Sequence, residues 1–298
     1  MLVALIWGVN MAVMKMGLDQ IDLYVFNAFR LSLSALVLGI CAWLESRKPP
    51  PRSEGPHKIK TMHPRPIRMW TTIIVFSIFT GGLYQILFAV GIDGTTAGNT
   101  ALIISSMPMW IAVISFFVLH EKLGWAWIGL IVAFLGTVLV AMQKGNLSFD
   151  SENQFGNLMV LAAALAWALA AVISRPMLKF ISPIRLAFYA TVGTLPIHFL
   201  MPWIMDSPSL AEVWQPKVLA CIIYSGVFST GLAYAMWNYG VQQLGASHAA
   251  VFQNLVPLVA LIAAYVSPLN ETVTPMQAIG GSLILSGLFV TRRLRPNR

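Results

Sequence analysis

The chain is built from long apolar stretches that follow one another with few interruptions. Between Met1 and Thr291, apolar runs of roughly 17 to 24 residues alternate with short polar segments. A helix of about 20 apolar residues crosses a hydrocarbon core about 30 Å thick. A transmembrane β-barrel would instead show segments of about ten residues with alternating hydrophobicity. The pattern therefore predicts an all-α membrane protein and excludes both a soluble fold and a barrel.

The composition supports this class. Hydrophobic residues make up 57% of the chain and charged residues 10%, whereas soluble proteins carry about 25% charged residues. The net charge of +8 does not indicate nucleic-acid binding, because the basic residues lie in loops and in the tail. The only two cysteines, Cys41 and Cys221, lie in apolar stretches, so we expect no disulfide framework, no metal site and no cofactor. Residues 1–17 lack the features of a signal peptide and are expected to form a retained helix.

Ten membrane-spanning helices are predicted from the apolar runs. They cover residues 1–18, 24–44, 70–90, 96–119, 123–142, 156–174, 184–205, 217–240, 246–268 and 275–291. Lys and Arg concentrate in the cytoplasmic loops of membrane proteins. Fifteen of the nineteen Lys and Arg fall on one side in this arrangement, mostly in the loop 45–69 and the tail 292–298. We therefore expect both termini in the cytoplasm.

The two halves of the chain resemble each other. Eight residue pairs match in order: Trp7 and Trp167, Lys15 and Arg175, Gly82 and Gly231, Gly91 and Gly240, Pro108 and Pro257, Glu121 and Glu271, Gly129 and Gly280, Gly136 and Gly287. Each half holds five predicted spans, an odd number, so the second copy must enter the membrane from the opposite side. The loops agree, because the basic loop 45–69 corresponds to residues 206–216, which contain no Lys or Arg.

The sequence thus predicts ten transmembrane helices in two inverted five-helix repeats, residues 1–145 and 155–298. Inverted repeats place a pseudo-two-fold axis in the membrane plane and commonly enclose a central site that opens alternately to the two sides. Alternating access is therefore the mechanism expected for this chain.

Three segments carry a resemblance to a known group of proteins. They are Leu5–Asn10 with Lys15–Leu18, Thr95–Ala101 continuing to Pro108 and Glu121, and Gly245–Pro257 running to Glu271. These segments resemble the drug/metabolite transporter superfamily, specifically its ten-helix EamA-like exporter branch. Within that branch the chain is most similar to the YddG-type amino-acid exporters of the bacterial inner membrane.

The resemblance implies a fold and an activity. It implies export of amino acids, including aromatic ones, from the cell through a central cavity. The first, third, fourth, sixth, eighth and ninth helices would line this cavity, and the fifth and tenth would lie at the periphery. It also implies residence in the inner membrane. The alternative within the superfamily is a multidrug or nucleotide-linked metabolite transporter.

Polar and aromatic side chains inside the spans are the candidates for substrate binding. Polar groups are costly in hydrocarbon and normally face the interior of a bundle. In the third and eighth spans, Gln85 and Phe88 correspond to Tyr234 and Trp237, and Asn238 shares their face at helical spacing. An aromatic packing surface is the alternative interpretation of this face. The complete candidate set is Trp7, Asn10, Gln85, Phe88, Asn99, Ser105, Trp167, Tyr234, Trp237, Asn238, His248 and Asn254.

Several of these candidates have a second interpretation. Trp7 and Trp167 could belong to an aromatic belt at the headgroups, and Asn99 and Asn254 could form simple hydrogen bonds between helices. His248 has either a structural role or a role in binding. Pro108 and Pro257 are expected to bend the helices that carry several candidates.

The remaining ionisable residues point to structure rather than to chemistry. Lys15 and Arg30 are expected near the outer ends of their spans, where they could meet Asp19 or Asp22. His198 is expected to be a satisfied structural histidine.

No Asp or Glu lies in the central part of a predicted span, so obligate coupling to protons or sodium is not expected. No catalytic constellation occurs, so an intramembrane enzyme is the disfavoured alternative. The expected partners are a small-molecule substrate and lipid, with the protein a monomer or weak dimer.

Overall fold

A computed structural model describes residues 1–47, 66–95, 100, 103–121, 124–142, 151–204, 210–266 and 274–293. All regular secondary structure in these ranges is helical, as predicted. The first half contains α1 (Leu2–Leu18), α2 (Leu23–Ser46), α3 (Pro66–Ser77), α4 (Tyr84–Asp93), α5 (Met107–Leu119) and α6 (Ala126–Met142). The second half contains α7 (Ser151–Met177), α8 (Pro183–Ile204), α9 (Pro216–Ile223), α10 (Ala233–Leu244), α11 (Ala246–Val251), α12 (Leu255–Val266) and α13 (Pro275–Arg293).

Many of these helices suit a membrane by length and composition. Five stretches are long and apolar enough to cross one: Leu23–Ser46, Ile67–Phe88, Asn153–Met177, Pro183–Ile204 and Pro216–Leu244. Shorter apolar helices cover Leu2–Leu18, Met107–Leu119, Ala126–Leu139 and Pro275–Thr291. Large apolar side chains such as Ile40, Trp203 and Phe289 are exposed on their outer faces. The described part of the chain is therefore an all-helical membrane protein, although most of the predicted basic loop 45–69 lies outside it.

Two helices contain a segment of π-helix that the sequence pattern did not predict. Residues Ile78–Leu83 join α3 to α4, and residues Tyr224–Leu232 join α9 to α10. The two segments occupy equivalent places in the halves, since each contains one member of the matched pair Gly82 and Gly231. A π-helical turn leaves local backbone groups outside the regular α-helical ladder and is frequent at functional sites.

The matched prolines of the two halves, Pro108 and Pro257, follow breaks in their helices, as their positions predict. Pro108 is the second residue of α5, directly after a turn at Ser105 and Ser106. Pro257 follows a short 3₁₀ segment, Phe252–Asn254, at the start of α12. Proline clashes with the carbonyl of the residue four positions earlier, so the α-helical ladder is interrupted just before each proline.

Helices α6 and α13 pack against each other through glycines. A Cβ atom on Gly129 would lie 2.5 Å from the carbonyl oxygen of Gly287, and one on Gly136 would lie 2.5 Å from that of Gly280. Backbones can approach this closely only where small residues occur. In the sequence match, Gly280 is the counterpart of Gly129, and Gly287 is the counterpart of Gly136. Gly129 therefore contacts the counterpart of Gly136, and Gly136 contacts the counterpart of Gly129. This is the contact pattern of a two-fold axis.

Other helix contacts also occur in corresponding pairs. Helix α1 packs on α12, and its counterpart α7 packs on α5. Helix α4 packs on α7, and correspondingly α10 packs on α1. The interior between α1, α4, α7 and α10 therefore receives side chains from both halves.

Candidate functional site

An aromatic cluster occupies the interior where the two halves meet. Its members come from α1, α4, α7 and α10, and they are Trp7, Tyr84, Phe88, Trp167, Tyr234 and Trp237. The ring centroid of Trp167 lies 5.2 Å from that of Tyr84 and 5.8 Å from that of Trp7. It lies 6.3 Å from the centroids of both Tyr234 and Trp237. These separations are typical of favourable aromatic pairs, so the rings form one continuous contact surface.

The space within the aromatic cluster is small. It includes a gap that is too narrow to admit a water molecule and is lined by Phe76, Thr80, Trp167, Ala170, Ala171, Tyr234 and Trp237. Sites for small molecules usually enclose about 300 to 1,000 Å³. A substrate could enter this gap only after the rings or the surrounding helices had moved apart.

The two matched tryptophans contact each other directly. Trp7 and Trp167 meet edge to face at an interplanar angle of 75°. The indole nitrogen of Trp7 donates a hydrogen bond of 3.1 Å to the carbonyl of Ser229, within the second π segment. Both rings pack against buried residues of the bundle. This arrangement does not fit a headgroup belt, in which the rings would face lipid.

Several polar atoms near the aromatic cluster are buried without a hydrogen-bond partner among the described residues. They are the indole nitrogen of Trp167, Oδ1 of Asn10, and both Oδ1 and Nδ2 of Asn238. Asn10 follows Trp7 by three residues and Asn238 follows Tyr234 by four, so each shares a helix face with a ring of the cluster. Buried polar groups of this kind cost free energy until they are paired. They are therefore available to a polar ligand.

A buried arginine lies next to the aromatic cluster. Arg30 of α2 is 4% exposed, and its Nε donates a 2.7 Å hydrogen bond to Asn27 Oδ1. Nη1 and Nη2 donate bonds of 3.3 Å to Ser225 Oγ and Gln85 Oε1, respectively. The expectation that Arg30 would reach Asp19 or Asp22 was wrong.

The reason for this correction is geometric. Asp22 caps α2, where its carboxylate accepts hydrogen bonds from the backbone N–H groups of Tyr24 and Val25. Arg30 lies about 12 Å further along the helix, and its side chain donates to Gln85. The side chain of Lys15, paired with Arg30 in that expectation, lies outside the described residues.

The aromatic cluster includes the predicted residues Phe88, Tyr234 and Trp237, while Gln85 lies outside it. Phe88 stacks on Tyr84 at 5.9 Å and 24°, whereas Gln85 is bonded to Arg30. Tyr84 was not predicted as a site residue, although its spacing of four from Phe88 places the two on one helix face.

Asn254, a candidate of the ninth predicted span, contacts a helix that contributes no ring to the aromatic cluster. Asn254 is 1% exposed, and its Oδ1 lies 3.4 Å from Thr137 Oγ1 of α6. This contact fits the interpretation of a hydrogen bond between helices. Ser105 is buried at the turn before α5, and His248 is half-buried in α11. Asn99 lies outside the described residues.

Two further side chains, those of His198 and Glu121, join helices of opposite halves. His198 is 2% exposed, and its Nε2 lies 2.9 Å from the carbonyl oxygen of Gly81 in the first π segment, which fits a structural histidine. The carboxylate of Glu121 accepts hydrogen bonds from the backbone N–H groups of Ala246 and Ser247 at the start of α11. Glu121 also lies 3.5 Å from Arg175 Nε, so it links the fourth, sixth and ninth predicted spans.

Comparison with known proteins places the chain among transporters. The model of the EamA-like transporter family matches residues 1–142 and 154–293. An uncharacterized transporter of Bacillus subtilis, YoaV, is 28% identical over 290 residues, which cover 97% of this chain and 93% of the relative. A probable terminal-alkyne amino-acid exporter of Streptantibioticus cattleyicolor is 26% identical over 290 residues, covering 96% and 90% of the two chains.

A solved structure shows the same fold. One crystal structure superposes with a TM-score of 0.80 over 98% of this chain and 96% of the other, at 19% sequence identity. The family match covers nearly all of the chain, and the relatives are named as transporters. The protein therefore belongs to the EamA-like transporter family, within the drug/metabolite transporter superfamily, and is a membrane transporter.

Proposed function

We propose that this protein exports small amphipathic metabolites, above all amino acids including aromatic ones, from the cell by alternating access. The proposal includes ten membrane spans in two inverted repeats, residues 1–145 and 155–298. It also places both termini in the cytoplasm and the protein in the inner membrane.

The observation that carries the proposal is the composition of the aromatic cluster. Trp7 and Tyr84 come from the first half, and Trp167, Tyr234 and Trp237 come from the second. A molecule held among these rings would contact both halves at once. Movement of one half against the other would then change the access of the site while contacts to the substrate persisted.

The inverted arrangement has independent support. The glycine contacts between α6 and α13 follow a two-fold pattern, and the two π segments lie at equivalent places. The family match also falls into two stretches, residues 1–142 and 154–293, close to the proposed division into repeats.

The chemistry of the interior favours an amino acid over a nucleotide-linked metabolite. Phosphate groups are bound mainly by clusters of Arg and Lys, whereas the six members of the aromatic cluster are uncharged and Arg30 is the single buried cation among the side chains that the structure describes. Aromatic faces suit an apolar side chain, and the buried amides of Asn10 and Asn238 suit its polar groups. The name of the Streptantibioticus relative agrees with this substrate class.

The test is a counterflow assay with purified protein in liposomes. Vesicles loaded with unlabelled tryptophan, leucine, glutamate or a sugar are diluted into trace amounts of the same labelled compound. We expect transient accumulation of labelled tryptophan and leucine, and none with the sugar. Accumulation of the sugar alone would contradict the proposed substrate class.

A further inference from the structure

Arg30 is a buried cation without a carboxylate partner among the residues that the structure describes. Its acceptors are the neutral atoms Asn27 Oδ1, Ser225 Oγ and Gln85 Oε1, and the sulfur of Met14 lies 3.8 Å from Nη1. A buried charge is expensive unless an opposite charge compensates it. Neutral acceptors supply hydrogen bonds but no opposing charge, so the compensation of this guanidinium is incomplete.

Two other arginines of the same chain show the contrast. Arg175 Nε lies 3.5 Å from Glu121 Oε1, and Arg185 Nε lies 3.5 Å from Glu45 Oε2. Both are far more exposed than Arg30, with side-chain exposures of 25% and 44%. Of these three arginines, the most buried one, for which an ion pair would matter most, has none within the described ranges.

The position of Arg30 connects it to the aromatic cluster on two sides. Gln85, which accepts from Nη2, is the neighbour in sequence of Tyr84, a member of the cluster. On α1, Trp7 and Met14 are seven residues apart and share one helix face, at a separation of about 10 Å along the axis. One end of this face contacts the aromatic rings and the other end contacts the guanidinium.

We propose that Arg30 binds the carboxylate of the transported molecule, an inference that rests on the proposed export function and specifies its substrate class. A guanidinium can donate two parallel hydrogen bonds to one carboxylate. Asn27 holds Nε through a short bond, whereas the longer bonds of Nη1 and Nη2 can be exchanged for carboxylate oxygens. The substrate is then an amphipathic carboxylate whose apolar part lies on the aromatic cluster. Cationic amphiphiles without a carboxylate are poor substrates.

The test compares ligands that differ only in this charge. Dissociation constants are measured on detergent-purified protein for indole-3-propionate and its uncharged amide, and for tryptophan and tryptophanamide. We expect wild-type protein to prefer each carboxylate over its amide by at least about tenfold, since hydrogen bonds between charged partners carry that much affinity. Arg30→Gln should bind each carboxylate and its amide equally well. The loss of affinity on removing the guanidinium and the loss on removing the carboxylate would then not add, as expected for two groups in contact. The control Arg185→Gln should keep the full preference.

A second variant separates binding from folding. Arg30→Lys retains the charge but loses the two-pronged geometry, so its preference should fall between those of wild-type protein and Arg30→Gln. Melting temperatures are recorded for every variant. If both Arg30 variants keep the wild-type preference and only their melting temperatures fall, Arg30 is structural and the inference is overturned. It is equally overturned if wild-type protein does not distinguish carboxylate from amide.

The same measurements separate this inference from the proposed function. Arg30-dependent binding of indole-3-propionate without binding of tryptophan would sustain the anion site and contradict export of amino acids. Binding of tryptophan and tryptophanamide with equal affinity would sustain a site for amino-acid derivatives and contradict the role of Arg30.

Discussion

Replacement of Trp237 by alanine should weaken substrate binding without abolishing the fold. Trp237 is 5% exposed, and its ring contacts those of Trp7 at 5.8 Å and Trp167 at 6.3 Å. A substrate ring in the cluster would make contacts of the same kind, each worth about 0.5 to 1.5 kcal/mol beyond buried area. Loss of two such contacts costs about 1 to 3 kcal/mol, which is a factor of about 5 to 150 in the dissociation constant.

The same substitution also affects folding, because removal of a buried tryptophan costs about 3 to 5 kcal/mol. The assay therefore measures tryptophan binding by calorimetry on purified protein, with the melting temperature recorded in parallel. Trp127→Ala is the matched control, since this half-buried tryptophan packs near the contact of α6 and α13, away from the aromatic cluster. We expect both variants to melt earlier and only Trp237→Ala to bind more weakly. Equal affinities in the two variants would refute a binding role for Trp237.

Three further predictions follow from the contacts and the proposed topology. Gly287→Leu should lower the melting temperature, because its Cβ would lie 2.4 Å from the backbone nitrogen of Ala133. Overpacking of this kind costs about 1 to 3 kcal/mol. An unchanged melting temperature would contradict the close contact of α6 and α13. Gln20 and Lys179 are two exposed positions in equivalent turns of the halves. Single cysteines there should react with an impermeant reagent from the outside and the inside, respectively. Labelling of both cysteines from the same side would refute the inverted repeats. Exchange in liposomes should continue without pH or sodium gradients, because no Asp or Glu lies in the central part of a predicted span. A strict requirement for either gradient would show that transport is coupled to that ion.

Hydropathy predicted the positions of the helices well, because a span must be apolar along its whole length. The predicted span 24–44 is observed as Leu23–Ser46, and 275–291 as Pro275–Arg293. The π segments were not predicted. A change in hydrogen-bond register alters neither the composition nor the length of an apolar run, so the sequence carries no clear signal of it.

Internal repetition located much of the candidate site. Trp7 and Trp167 were singled out as matched residues, and the structure brings them into contact. Helical spacing also placed Tyr234 and Trp237 on one face. The surroundings of Arg30 could not be predicted in this way, because a sequence indicates the depth of a side chain in the membrane better than its direction around the helix. The contact of Asn254 with Thr137 of α6 could not be predicted for the same reason, and a role of Asn254 in substrate binding stays a prediction.

The central claim is that the gap within the aromatic cluster opens alternately to the two sides of the membrane. Ala170 lines this gap and is fully buried, so it can carry a single cysteine once Cys41 and Cys221 are replaced. Labelling of Ala170→Cys with a membrane-impermeant thiol reagent is measured in inside-out and right-side-out vesicles. The account predicts labelling in both preparations, slowed in each by excess tryptophan. Labelling from only one side, with no protection by tryptophan, would contradict it.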